Sequence, residues 1–216
     1  MTRFKPTDLT YLCRNTNFTK HELQTMYRGF KQECPSGIVD EGTFKEIYSR
    51  FFPYGDSSGY AHLVFKLFDL NKTGAITFEG LVSNLSILIR GSLEDRIKWI
   101  FRLYDVNCDG VISRDELMTV VNSIYRIIQI DSSRNLASVS VAAAIPASRA
   151  SENVATTVID DAGDGIVSQE RHVENIFKMM DKNKDGLIDL EEFLSFCLKE
   201  EVIINGIKSM DTYFCF

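Results

Sequence analysis

Two stretches, DVNCDGVISRDE (Asp105–Glu116) and DKNKDGLIDLEE (Asp181–Glu192), follow one rule: an oxygen-bearing side chain at positions 1, 3, 5, 9 and 12, and glycine at position 6. Each is led in by a similar phrase, FRLYD (Phe101–Asp105) or FKMMD (Phe177–Asp181), in which an aromatic residue, a cation and two largely apolar residues run into the Asp. Upstream of the first loop Ile97, Ile100, Phe101 and Tyr104 recur at i, i+3, i+4 and i+7, the buried stripe of an amphipathic helix. Downstream, LMTVVNSIYRII (Leu117–Ile128) is again apolar-periodic. The repeating unit is helix, loop, helix.

A hard divalent cation accounts for the spacing. Calcium takes six to eight oxygens, so short carboxylates and amides must converge from alternate residues, glycine permits the sharp turn, and a longer Glu at position 12 reaches back with both oxygens. This is the EF-hand calcium rule. The expected ligands are Asp105, Asn107, Asp109, the carbonyl of Val111, Ser113 and Glu116 in one loop, and Asp181, Asn183, Asp185, the carbonyl of Leu187, Asp189 and Glu192 in the other. Two calcium ions are expected.

The same ruler finds two degraded copies. DLNKTGAITFEG (Asp69–Gly80), preceded by FKLFD, keeps Asp at position 1, Asn at 3 and Gly at 6, but has Thr73 at 5 and Gly80 at 12. Glu79 stands one residue early, so Asp69 is the single carboxylate placed to bind, and calcium should bind there weakly or not at all. QECPSGIVDEGT (Gln32–Thr43) lacks the first Asp and the last Glu and should bind nothing. Val39 nevertheless occupies the place of Ile76, Ile112 and Ile188, where EF-hand loops pair as short strands. DDAGDGIVSQER, from Asp160, imitates the rule with Ala162 at position 3 and Arg171 at 12, and reads as a chance likeness or a helix start.

The loops begin at 32, 69, 105 and 181, so the last interval is about 40 residues longer than the others. Within it Ser132–Ile159 is rich in Ala, Ser and Val, has no aromatic residue, and reads as a flexible surface insert. The expected fold is all-α: four EF-hand motifs in two paired lobes, 1–91 and 92–216, with short paired loop strands and a C-terminal helix. The net charge of −6 argues against a nucleic-acid surface. The five cysteines form no CxxC and read as reduced thiols. Nothing at the amino end reads as a signal peptide, and no apolar run is long enough to span a bilayer, so a cytoplasmic protein is expected. Asn17, Asn71 and Asn84 match the N-glycosylation triplet as chance matches. No nucleophile–base pair, phosphate loop or catalytic metal motif appears, and no enzyme is expected.

TNFTKHELQTMYRGFKQECPSG, FKEIYSRFFPYGDSSGYAHLVFKLFD and LSILIRGSLEDRIKWIFRLYD together resemble the neuronal calcium sensor family. With CPSG in a dead first loop and no usable second loop, the sequence is most similar to its Kv channel-interacting branch. The resemblance covers about residues 4–131 and 170–216. It implies a calcium-sensing accessory subunit that takes the amphipathic N-terminal segment of a Shal-type potassium channel into a hydrophobic groove, modulates the channel's surface expression and gating, and sits at the plasma membrane through it. By matching positions Trp99, Tyr104 and Tyr125 would line that groove, and Leu9, Tyr27 and Lys31 would touch a neighbouring channel subunit. Aromatics at this spacing also suit a core, although Trp99 lies off the 97/100/101/104 stripe and so could face a partner. The tail EVIINGIKSMDTYFCF matches the segment that shields the groove. The insert and the start MTRFKP, which lacks a myristoylation signal, depart from the family pattern.

Alternative functions are a calcium-dependent regulatory subunit of a phosphatase, kinase or cyclase, a calcium-responsive transcription regulator, and a calcium buffer.

Overall fold

The structure, a computed structural model, describes residues 9–53, 55–128 and 165–213. The expected insert at 132–159 lies outside the described residues.

Among the described residues the order is α1 (Leu9–Asn15), α2 (Lys20–Glu33), β1 (Ile38–Asp40), α3 (Glu41–Phe51), α4 (Ser58–Phe68), β2 (Ala75–Thr77), α5 (Phe78–Arg90), α6 (Leu93–Tyr104), β3 (Ile112–Ser113), α7 (Arg114–Ile128), α8 (Gly165–Met180), β4 (Leu187–Ile188), α9 (Leu190–Cys197) and α10 (Glu201–Tyr213). Each of the four loops, numbered 1 to 4 in chain order, lies between two helices and carries one of the short strands. Of the stretch beginning at Asp160, the residues from Gly165 on lie in α8, and those before it lie outside the described residues.

Local chemistry sets the helix boundaries. Thr19 and Glu22 form a reciprocal capping box at α2, and Ser92 and Asp95 form another at α6, each satisfying amides that the first turn leaves without partners. The strands pair antiparallel in two ribbons. Val39 faces Ile76 in β1–β2, and Ile112 faces Ile188 in β3–β4, so the apolar position 8 of each loop meets its counterpart.

The core is one contiguous cluster running from Leu12 on α1 to Ile207 on α10, with members on both sides of the 91/92 division. Phe177 and Phe193 are its largest fully enclosed side chains. Helix α6 is buried on nearly all sides, through Arg96, Ile97, Trp99, Ile100, Phe101, Leu103 and Tyr104, because α4, α5, α7, α9 and α10 all pack on it. The C-terminal helix α10 docks on α5 and α6, burying Ile203 and Ile207, one helical turn apart.

Candidate metal centre

All four loops share one turn. Glycine at position 6 is left-handed in each, with φ of 85° at Gly37, 76° at Gly74, 91° at Gly110 and 84° at Gly186, a conformation that a Cβ strains. The residue two places earlier is also left-handed in loops 2, 3 and 4, at Lys72, Cys108 and Lys184. Degradation of the ligand set has kept the turn glycine in all four loops, and the position-4 conformation in loop 2 but not in loop 1.

The oxygens differ. In loop 3 the Asp105 carboxylate accepts from the amides of Asp109 and Gly110, both at 3.0 Å. Asn107 Oδ1 accepts from Asp109 N–H at 2.8 Å, and Asp109 Oδ1 from Val111 N–H at 3.0 Å. Glu116 closes the circle: one oxygen accepts from Asn107 N–H at 3.1 Å, the other from Ser113 N–H at 2.9 Å and its hydroxyl at 2.7 Å. Every expected side-chain ligand of this loop is thus tied to another part of it, and position 12 reaches across to position 3.

Loop 4 repeats the arrangement. Asn183 Oδ1 accepts from Asp185 N–H, and Asp185 Oδ1 from Leu187 N–H. Glu192 accepts from the Lys182 and Asn183 amides at 2.9 and 3.1 Å, and from Asp189 N–H at 3.3 Å. Asp189 and Glu192 also form the capping box of α9, so positions 9 and 12 of the loop double as the N-cap and N3 of the helix that follows. Asp181 breaks the symmetry. Its Oδ2 accepts from Gly186 N–H at 3.1 Å, but its buried Oδ1 has no hydrogen-bond partner among the described residues. A buried carboxylate oxygen left without a donor is costly, and a cation satisfies it. With hard oxygens at every expected position, these residues fit calcium. No three His, Cys, Asp or Glu side chains are yet gathered as a metal cluster among the described residues, because the carboxylates rest on the loops' own amides. A calcium ion held by these residues would take over those oxygens.

Residues 94–198, spanning loops 3 and 4 and the helices around them, match the family described as an EF-hand domain pair. The chain carries a calcium-binding EF-hand pair. EF-hand domains bind calcium, their proteins are typically regulators without enzymatic activity, and no enzyme family is indicated.

Outside the EF-hand pair, loop 2 keeps the turn but not the ligand set. Asp69 accepts from the amides of positions 5 and 6 just as Asp105 does, Oδ1 from the Thr73 amide and hydroxyl and Oδ2 from Gly74 N–H at 2.7 Å, so the difference lies at positions 5 and 12. Thr77 caps α5 by accepting from Gly80 N–H, but with no side chain at Gly80 the reciprocal half of the box is missing. A Cβ on Gly80 would lie 2.4 Å from the carbonyl oxygen of Phe68, so backbone has moved into the space that a position-12 side chain needs. Gly80→Ala should leave calcium stoichiometry unchanged yet lower stability by about 1–3 kcal/mol, the usual cost of overpacking. Thermal unfolding of the metal-free chain checks this, and a wild-type midpoint would refute it. Gly80→Glu should likewise fail to create a further site.

The six residues expected to meet a partner do not form one open surface. Trp99 is 4% exposed, its ring edge-on to Phe68 at 6.3 Å and its indole N–H donating to Asn84 Oδ1 at 2.8 Å. The expectation that lying off the stripe turns it outward does not hold, because five helices surround α6. Tyr104 is also buried, its ring 6.1 Å from Phe193, and burial holds its hydroxyl pKa well above the ordinary value. Tyr125 on α7 is half-buried against the core, and burial raises its pKa too. Leu9 packs on the core, Tyr27 meets Phe78 edge-on at 5.0 Å, and the Lys31 ammonium donates to the Pro35 carbonyl.

Two residues that join the halves escaped the sequence reading. Asn84 is 2% exposed and uses both ends of its amide, donating to the Gly80 and Leu67 carbonyls while accepting from Trp99. Its burial accounts for the glycosylation triplet there being a chance match. Arg96, also buried, donates to the carbonyls of Ile89 on α5 and Ile207 on α10. A polar residue on a helix face otherwise turned to the core was the available signal in both cases.

Proposed function

We propose that this chain is a calcium-sensing regulatory subunit, with four EF-hands in two lobes and two calcium ions held by loops 3 and 4. Its target is the amphipathic cytoplasmic N-terminus of a Shal-type voltage-gated potassium channel, whose surface expression and gating it modulates. The observation that carries the reading is the seat of α10. Ile203 and Ile207 press one face of a short helix onto α5 and α6, and Arg96 holds the Ile207 carbonyl. An apolar seat already filled by an amphipathic helix suits a partner helix of the same character. Trp99 and Tyr104 belong to α6, one wall of that seat, and Tyr125 to α7 beside it. Leu9, Tyr27 and Lys31, on α1 and α2, are the proposed contacts to a second channel subunit. The protein would act in the cytoplasm, at the plasma membrane when channel-bound; no described helix is long and apolar enough to cross a membrane.

Calorimetry with a synthetic Shal N-terminal peptide tests this. In saturating calcium the peptide should bind, and a chain ending at Glu200 should bind about tenfold tighter or more, since removing an occupant raises the competent fraction. If neither chain binds it, the channel assignment fails. Preference for a calcineurin A helix peptide would place the target among enzymes.

A further inference from the structure

Position 10 of each loop, the residue just after its strand, reaches toward the helix that leads into the partner loop. In loop 1, Glu41 meets His62 Nδ1 on α4 at 2.7 Å. In loop 2, Phe78 packs against Tyr27 and Phe30 on α2, with ring centroids 5.0 and 5.6 Å apart. In loop 4, Leu190 shares a cleft with Phe101 on α6. In loop 3 the residue is Arg114, whose guanidinium lies 5.1 Å from the centroid of the Phe177 ring and whose Nε is 3.1 Å from Glu174 on α8.

We propose that Arg114 is a positioning residue that couples the two calcium sites, passing the movement of α7 on filling loop 3 to α8 and hence to loop 4. This rests on the reading that loops 3 and 4 each take one ion.

Several features point the same way. Arg114 opens α7, where a cation opposes the helix dipole, and the contact across to α8 gives that cation a partner on another helix, Glu174. Arg114 stands two residues before Glu116, the position-12 side chain that closes loop 3, and Phe177 four residues before Asp181, which opens loop 4. The contact therefore bridges the exit of one site and the entrance of the next. Glu174 is steadied by Lys178, 3.1 Å away on the same helix. The contact lies within the packing of α7 on α8, and the two hands are also joined by α6 on α9 and by the β3–β4 ribbon, with two residue pairs.

The nature of the contact fits transmission rather than locking. In the pair without a binding loop, the corresponding Phe78 is 6% exposed and fixed among rings. Arg114 is 54% exposed on its side chain and bears on α8 through a flat cation over a ring and one ion pair, a contact made from outside the core. Phe177 itself is 1% exposed and cannot shift without the core, so a push on its face moves α8 as a body.

Calcium calorimetry on the full chain, with tryptophan fluorescence alongside, provides the test. In the wild type, filling one site should raise the affinity of the other about fivefold or more. In Arg114→Ala that factor should fall toward one while two ions still bind. Single-site affinities, measured with Glu116→Gln or Glu192→Gln in the same chain, should change little. Arg114→Lys, which keeps the charge but not the flat stack, should retain part of the coupling, and Glu174→Gln should lose part. Wild-type coupling in both Arg114→Ala and Glu174→Gln overturns the proposal, as does a wild type that binds two ions independently. A wild type binding fewer than two ions instead defeats the calcium-site reading on which the proposal stands. Should Arg114→Ala fail to fold, the Arg114→Lys and Glu174→Gln pair decides alone.

Discussion

Glu192→Gln should remove one calcium ion from the titration and leave the helix behind it intact. The wild-type loop, with carboxylates at Asp181, Asp185, Asp189 and Glu192, should bind in the sensor range of about 10⁻⁷ to 10⁻⁵ M, and loss of the charged bidentate ligand should push it to about 10⁻⁴ M or weaker. The substitution is selective because glutamine at N3 still serves a capping box. Asp189 can go on accepting from the backbone amide at position 192, and the single side-chain oxygen of the introduced glutamine can accept either from Asp189 N–H or from the Lys182 and Asn183 amides, so at most one of these two arms is lost. Metal-free stability should therefore change by less than about 1 kcal/mol, the scale of one capping interaction, while calorimetric stoichiometry falls from two to one. Glu116→Gln should do the same for loop 3. Two ions bound at wild-type affinity in either variant would show that position 12 is not a ligand.

The other large effect concerns Trp99. Its replacement by Ala should cost about 3–5 kcal/mol in urea-induced unfolding, because a buried indole leaves a cavity. Loss of its N–H also leaves the Asn84 side-chain oxygen, 2.8 Å away, without its donor. Trp99→Phe separates the two contributions, keeping most of the apolar volume and losing only the donor, for about 1–3 kcal/mol. A Trp99→Ala chain as stable as wild type but unable to bind the channel peptide would mean that the side chain faces a groove rather than the core.

The loop turns were legible in the sequence because their chemistry is local. Alternating oxygens, one glycine and a Glu at position 12 are all contained in twelve residues, and the structure turns each loop where the glycine said it would. Pairing was legible for a similar reason, since one apolar residue per loop marks the strand, and Val39–Ile76 and Ile112–Ile188 meet in register. The orientation of α6 was not. A stripe at 97, 100, 101 and 104 describes a helix with one wet face, whereas this helix has neighbours on almost every side, a matter of how many others pack on it. Gly80 read as the loss of a ligand, and only the approach of the Phe68 carbonyl, twelve residues back in the chain, reveals that the vacated space has been filled.

That filled space gives the molecule its fixed end. A sensor converts ion binding into motion only if some part of it stays still, as a lever is useless without a fulcrum. Loop 2 satisfies its own Asp69 with amides, closes its backbone over Gly80, and through Asn84 grips the indole of α6. On the proposed calcium reading, an ion at loop 3 would pull on a helix whose middle is tied to this anchor. The displacement would then pass to α7 and, beyond it, to α8, which packs on it.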